Sequence, residues 1–362
     1  MKIKRGLILL LAVMAFFYGE AQIGGSTIYN FLNVSNSSRL TALGGTLISV
    51  QDKDPTLIMQ NPSSIAPCFS TSLVLNAADY FTNSAFVSAL YSHTFKKAGS
   101  FAAELRYLDY GKFLETDNIG NELGYFRAGD FAFTLGWGRQ LDSNFSIGAN
   151  LKLIYSSYEN YNSFGIAADV AGTYHNTKKN ISLTLLLKNM GSPLDNYLPG
   201  QFERIPFDIQ LAFSQKFKFI PVRYHISLHS LYRWNMRYVG SQDPFLELDA
   251  SINDFKYPSK TALFFDNMFR HLVVGIEIIP VKQLSLQFSY NHNRRQEMKV
   301  MKRSFAGFSY GFMINIHSIQ IGFSRTHYGP GATPNYFTFA ANVSELSQLA
   351  KQKKIKKLER LN

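Results

Sequence analysis

Cysteine is almost absent from this chain. Cys68 is the one cysteine among 362 residues. A single thiol cannot form an intrachain disulfide, so the sequence excludes a disulfide-stapled fold and a cysteine-ligated metal centre. We expect Cys68 to be a small buried residue rather than a nucleophile.

Long apolar runs are confined to the first twenty residues. Three basic residues among the first five precede an apolar run over residues 6–18, and small residues follow at Gly19 and Ala21. This arrangement predicts a signal peptide over residues 1–21, and the run is too short to favour an uncleaved anchor helix. No later run is long enough for a membrane-spanning helix. These features predict an exported protein without a helical anchor.

Catalytic motifs are also absent. The sequence contains no H-E-x-x-H, no G-x-x-x-x-G-K-[ST], no G-x-G-x-x-G and no S-x-x-K. Residues 307–311 match G-x-S-x-G, but that motif requires a strand–turn–helix context, and here Ser309 lies in an alternating segment. His225 and His229 share one predicted strand face and are interpreted as lumen-facing polar residues rather than a metal site. We therefore predict no catalytic residue, no metal site and no cofactor.

The sequence is rich in alternation of apolar with small or polar residues. Clear examples are Phe131–Gly138, Phe207–Ser214 and Leu284–Asn291. Successive side chains of a strand point to opposite faces, so each segment has one apolar and one polar face. Many such segments of about ten residues are typical of a transmembrane β-barrel with a polar lumen. Fourteen antiparallel strands are predicted, at 70–79, 84–95, 100–109, 128–138, 145–156, 164–175, 181–189, 206–217, 223–233, 270–279, 284–292, 305–314, 318–325 and 336–344.

The connections between these strands alternate between short and mostly longer ones. The longest are 110–127, 190–205 and 234–269. Bacterial barrels have short periplasmic turns and longer outer loops, so both termini are expected in the periplasm of an integral outer-membrane protein. Alternation over residues 246–252 leaves room for an additional surface strand.

The segment 22–69 precedes the predicted barrel, residues 70–344, and does not alternate. It contains a predicted helix from Ser35 to Leu43, with Ser35 as its cap and Gly44 in a left-handed turn at its end. A fourteen-stranded barrel would otherwise enclose a pore. We therefore expect this segment to sit inside the barrel as a hatch.

Charged residues occur at predicted inward positions of the strands. Glu104 and Arg106 share one inner face, and Lys152 and Asp169 are similarly placed. Charges inside a barrel usually pair with one another or with a plug. A structural role is favoured over substrate gating.

The predicted tail, residues 345–362, is strongly basic. Lys351 to Arg360 carries six basic residues and one acidic residue, in a chain of formal net charge +12. Anionic lipid headgroups or an acidic partner are plausible targets, and a solvated disordered tail is the alternative. Nucleic acid is not expected as a partner in the periplasm.

The N-terminal block resembles a known family. It contains Gln22-Ile23-Gly24-Gly25, Tyr29-Asn30-Phe31-Leu32, Ser38-Arg39, Ala42-Leu43-Gly44-Gly45, Asp52-Lys53-Asp54 and Asn61-Pro62. In combination these resemble the PorQ family of the type IX secretion system of Bacteroidota, as does the end of the chain from Gly307 to Ser344. The resemblance implies a structural hatch motif made of Gly24, Gly25, Arg39, Gly44, Gly45, Asp52, Asp54, Asn61 and Pro62.

The resemblance also implies a function. PorQ proteins are non-enzymatic outer-membrane components of a cell-surface attachment complex for secreted cargo, so PorZ-like, PorU-like and PorV-like proteins and outer-membrane lipids are the expected partners. The sister component PorV shares the fold. Asn61-Pro62 is also similar to the hatch motif of FadL-type transporters, although Ser63 stands where alanine is usual. A FadL-like transporter of hydrophobic small molecules is thus the second hypothesis, and an outer-membrane enzyme or generic porin the third.

Overall fold

The computed structural model describes residues 27–81, 83–198, 200, 203–236, 259–298, 305–329 and 331–359. The predicted signal peptide, the Gly24-Gly25 pair and the possible strand at 246–252 lie outside the described residues.

Fourteen antiparallel strands form one closed barrel, in which β1 pairs with β14 and every other strand with its sequence neighbours. This confirms the predicted fold class. The strands are β1 Ser72–Asp79, β2 Ala85–Phe95, β3 Gly99–Thr116, β4 Glu122–Gln140, β5 Phe145–Tyr158, β6 Tyr161–Asn176, β7 Ile181–Asp195, β8 Asp208–Lys216, β9 Val222–Leu228, β10 Leu272–Val281, β11 Leu284–Asn291, β12 Phe308–Ile316, β13 Ile319–Thr326 and β14 Asn335–Asn342.

Alternation places polar residues inside the barrel and apolar residues outside it. On β11, Gln287 is fully buried whereas Phe288 is 51 % exposed. Leu105 and Leu151 are likewise exposed on their strands. An outward apolar band matches the hydrocarbon layer around an outer-membrane barrel.

The largest departure from the predicted strands is the hairpin of β3 and β4. Residues predicted as the loop 110–127 continue both strands, and Lys112 pairs with Arg127 beyond a register shift. Side chains in this extension are mostly exposed on both faces. Where neither face is buried, backbone pairing does not require alternation, so the periodic pattern ended before the strands did.

Within the ranges that the structure describes, four α-helices accompany the barrel: α1 Ser38–Ala42, α2 Lys260–Arg270, α3 His292–Glu297 and α4 Val343–Glu359. The predicted helix in the hatch is shorter than expected, and Ser37 rather than Ser35 caps it by accepting from the Leu40 N–H. Helix α4 shows that the tail is helical up to Glu359 rather than disordered. In the part of the chain that the structure describes, no helix has the length and apolar character needed to cross a membrane.

The described part of the hatch, residues 27–69, runs through the lumen. Near the longer loops, Tyr29, Phe31 and Leu32 pack against wall residues such as Phe86 and Leu108. At the opposite end, another apolar cluster joins the hatch to the wall, comprising Ile58, Met59, Ile65, Phe69, Val74, Leu90, Ala102 and Ala340. We call this second end the short-turn rim, because the connections 96–98, 141–144, 177–180, 217–221, 282–283 and 317–318 lie there.

Candidate functional site

Arg39 joins the hatch to the barrel wall. It lies on α1, and its Nε and Nη2 atoms donate to Oε1 and Oε2 of Glu277 on β10, at 2.9 and 2.8 Å. Both side chains are buried, with exposures of 5 % and 1 %. Two parallel charge-assisted hydrogen bonds fix orientation as well as distance, so this pair sets where the hatch sits.

Three more charged residues complete this site. Asp52 accepts from Arg39 Nη2 at 2.7 Å, and Asp54 accepts from Arg39 Nη1 at 2.7 Å. Arg223 on β9 donates through Nη1 to Asp52 at 2.7 Å and to Glu277 at 2.8 Å. We call these five residues the ionic latch: Arg39, Asp52, Asp54, Arg223 and Glu277.

The two hatch carboxylates of the latch differ in their electrostatics. Burial alone would raise the pKa of Asp52, but the charges of Arg39 and Arg223 outweigh it and hold this pKa well below its ordinary range. Burial raises the pKa of the Asp54 carboxyl, although Arg39 opposes the shift. The latch has three carboxyl groups and two guanidinium groups, so Asp54 is the carboxyl that most readily takes a proton.

Gly44 and Gly45 form the turn that follows α1. Their φ angles are +89° and +83°, in the left-handed region that favours glycine. The Gly45 N–H donates to the Leu40 carbonyl at 2.8 Å and so ends the helix. A Cβ on Gly44 would lie 2.4 Å from Cγ1 of Val273, so the turn also needs glycine for its close approach to the wall.

Asn61 and Pro62 bring the hatch against β5 and β6. The Asn61 amide nitrogen donates to the Ile48 carbonyl at 2.6 Å and to the Thr173 hydroxyl at 3.1 Å. Asn61 Oδ1 accepts from the Ser63 N–H at 3.0 Å. The Ser63 hydroxyl lies 2.7 Å from the Thr173 hydroxyl. Serine therefore adds a wall contact that alanine could not make.

The four wall charges predicted from the sequence lie inside the barrel as two pairs. Glu104 and Arg106 are 2.7 Å apart, and Lys152 and Asp169 are 2.7 Å apart. The first pair also holds the hatch, because the Asn36 amide donates to Glu104 at 2.9 Å. Each pair is buried and already partnered, so the arrangement supports a structural role.

Sequence reasoning missed the wall half of the latch. Glu277 and Arg223 occupy inward positions of their strands, as Glu104 and Arg106 do, and that is the signal that could have marked them. It also misplaced Cys68, which is exposed rather than buried. The cysteine lies where the hatch leaves the lumen to enter β1, so less of the wall covers it.

A cavity of about 550 Å³ opens at the short-turn rim, and all five latch residues are among those that line it. Cys68, Lys53, Lys216 and Lys282 line it, and Glu345 of α4 reaches its edge. No group of three metal-ligating side chains occurs among the residues that the structure describes.

No protein-family model and no curated protein matches this chain. Among solved structures, the toluene transporter TodX of Pseudomonas putida superposes with a TM-score of 0.50 at 13 % identity, over 85 % of this chain and 98 % of TodX. A Pseudomonas aeruginosa FadL homologue superposes with a TM-score of 0.43 at 11 % identity, over 89 % and 99 % of the two chains.

The closed barrel, its apolar outer band and the TodX likeness define the class of protein. The chain is an integral outer-membrane β-barrel of fourteen strands with an N-terminal hatch.

Proposed function

We propose that this protein is a non-enzymatic scaffold of the type IX secretion system that helps to hold a cell-surface attachment complex for secreted cargo. The observation that carries the proposal is the filling of the lumen by the hatch. The resemblance of the N-terminal block to the PorQ family supplies the identity of the machine.

The hatch packs so closely against the wall that its backbone lies directly over two wall glycines. A Cβ on Gly148 would lie 2.2 Å from the carbonyl carbon of Pro62, and one on Gly138 would lie 2.4 Å from the Ile65 carbonyl oxygen. Such contacts leave no gap between the hatch and the wall at these positions of β4 and β5. A lumen occupied in this way is consistent with a scaffold that acts through its surfaces.

A transporter of hydrophobic small molecules is the second candidate. The architecture shared with the toluene transporter TodX supports it, and this likeness favours it over the scaffold. The latch argues in the other direction, because its buried ion pairs line the cavity at the short-turn rim. An apolar substrate would have to pass charged groups there.

A strain that lacks this protein distinguishes the two candidate functions. A scaffold predicts that the strain loses cargo attachment at the cell surface, and that an affinity-tagged copy recovers PorZ-like, PorU-like or PorV-like proteins from outer membranes. Uptake of radiolabelled toluene and oleate should be unchanged. Normal cargo attachment together with lost uptake would overturn the scaffold and leave the transporter.

A further inference from the structure

The cavity at the short-turn rim combines depth with unpaired positive charge. Its volume of about 550 Å³ lies within the range of ligand pockets, roughly 300–1,000 Å³. Lys53, Lys216 and Lys282 line it, and among the described residues no carboxylate lies within ion-pair distance of any of the three. Three lysines around one cavity favour an anionic occupant.

Each acidic residue of the latch already has an arginine partner, although three carboxylates share two guanidinium groups. Asp52 and Glu277 are each shared by Arg39 and Arg223, and Asp54 binds Arg39. At the edge, Glu345 accepts from the Ser318 hydroxyl at 2.8 Å. The lysines are thus the cationic groups of the cavity that have no carboxylate partner among the described residues.

The cavity lies inside the barrel wall. Ser285 and Met313, which line it, are buried at inward positions of β11 and β12. The wall separates these positions from the headgroups of the surrounding bilayer. An anionic group that enters must come from the aqueous compartment at the short-turn rim.

Positive charge continues from the cavity along the chain. Helix α4 begins beside the cavity, contributes Glu345 to its edge and carries Lys351. Further lysines follow in the same helix at positions 353, 354, 356 and 357. A basic cavity followed along the chain by further basic residues fits an extended ligand better than a small carboxylate.

We propose that this cavity and helix α4 bind an acidic polypeptide segment of a protein on the short-turn side of the membrane. Carboxylates of the segment pair with Lys53, Lys216 and Lys282 inside the cavity. This site does not depend on the scaffold role, since a transporter could carry it equally.

The test measures binding of hexaglutamate to the full-length purified protein in neutral detergent. The fluorescence anisotropy of fluorescein-labelled hexaglutamate should rise when the protein is added. That of labelled hexaglutamine should stay unchanged. The variant Lys53→Glu/Lys216→Glu/Lys282→Glu should bind about tenfold more weakly. The matched control Lys96→Glu/Lys97→Glu/Lys178→Glu changes the same charge in other turns of the same rim, and it should bind about as the unaltered protein does.

A second measurement uses the natural thiol in the cavity. Saturating hexaglutamate should slow alkylation of Cys68 by N-ethylmaleimide in the unaltered protein, because a bound peptide covers the cavity. Heat-modifiable migration in gels shows whether each variant folds, and Lys282→Glu alone replaces the triple variant if that one fails to fold.

Three results would overturn the proposal. Equal losses of affinity in the two triple variants would show attraction to the net charge of the rim rather than a site. Unchanged alkylation of Cys68 at saturating peptide would place the peptide elsewhere. Binding to phosphatidylglycerol vesicles without binding to hexaglutamate would assign the basic surface to lipid.

Discussion

Arg39 and Glu277 form a two-point ion pair across 238 residues of sequence. The pair links α1 of the hatch to β10 of the barrel wall. Because both groups are buried, removing either one leaves a buried charge that the remaining latch residues compensate only in part. The position of the hatch and the integrity of the barrel are thereby coupled.

Replacing Arg39 should strongly destabilise the folded barrel. Arg39→Ala leaves Asp54 without its cation and Glu277 with Arg223 alone, and breaking a buried pair costs about 3–5 kcal/mol. Arg39→Lys keeps the charge but loses the two-point geometry, so it should recover only part of the loss. Denaturant unfolding in detergent, followed by tryptophan fluorescence, measures both. Arg139→Ala, at an exposed position of β4, is the control. An equal loss of unfolding free energy in Arg139→Ala and Arg39→Ala would mean that the latch does not stabilise the barrel.

Asp52 and Asp54 should give opposite pH dependences. The pKa of Asp52 is lowered in the folded protein, so its stabilising contribution is present above the ordinary value of 3.8 and is lost as pH falls toward the lowered pKa. The pKa of Asp54 is raised, so ionisation costs stability as pH rises from 3.8 through the raised pKa. Each pKa unit corresponds to about 1.4 kcal/mol.

The measurement compares unfolding midpoints of the unaltered protein, Asp52→Asn and Asp54→Asn from acid to neutral pH. Relative to Asp52→Asn, the unaltered protein should gain stability as pH rises through the acid range. Relative to Asp54→Asn, it should lose stability over the range above 3.8. Parallel curves for the two variants would contradict the electrostatic difference between the carboxylates.

Periodicity in the sequence was enough to predict the barrel, since burial follows alternation directly. Gln287 and Phe288 show this, with one inside and the other outside. Periodicity assigns a residue to a face but not to a partner, which is why Glu277 was not linked to Arg39. Helix α2 was missed because it lies in a connection, where no barrel face constrains its pattern. The extension of β3 and β4 was also not predicted, because no buried face imposes alternation on it.

Filling the space at Gly148 should displace the hatch. Gly148→Trp drives a large side chain into the Pro62 backbone, which lies 2.2 Å from the position of a Cβ. Overpacking of this kind costs about 1–3 kcal/mol or more. The control is Gly172→Trp, because nothing lies within 4 Å of a Cβ at that glycine. Limited proteolysis should cut residues 27–69 faster in Gly148→Trp than in the control. Equal protection in both variants would mean that the wall does not hold the hatch at Pro62.

The short-turn rim should face the periplasm in the membrane. The short turns mark the periplasmic side of bacterial barrels, so Cys68, exposed at the short-turn rim, should not react with a membrane-impermeant maleimide on intact cells. Asn118 lies at the tip of the long β3–β4 hairpin on the opposite side. Asn118→Cys in a Cys68→Ser background should be labelled on intact cells. Both cysteines should react in permeabilised cells, which controls for thiol accessibility. Labelling of Cys68 but not of Asn118→Cys on intact cells would reverse the orientation, and the acidic ligand of the cavity would then have to come from the cell exterior.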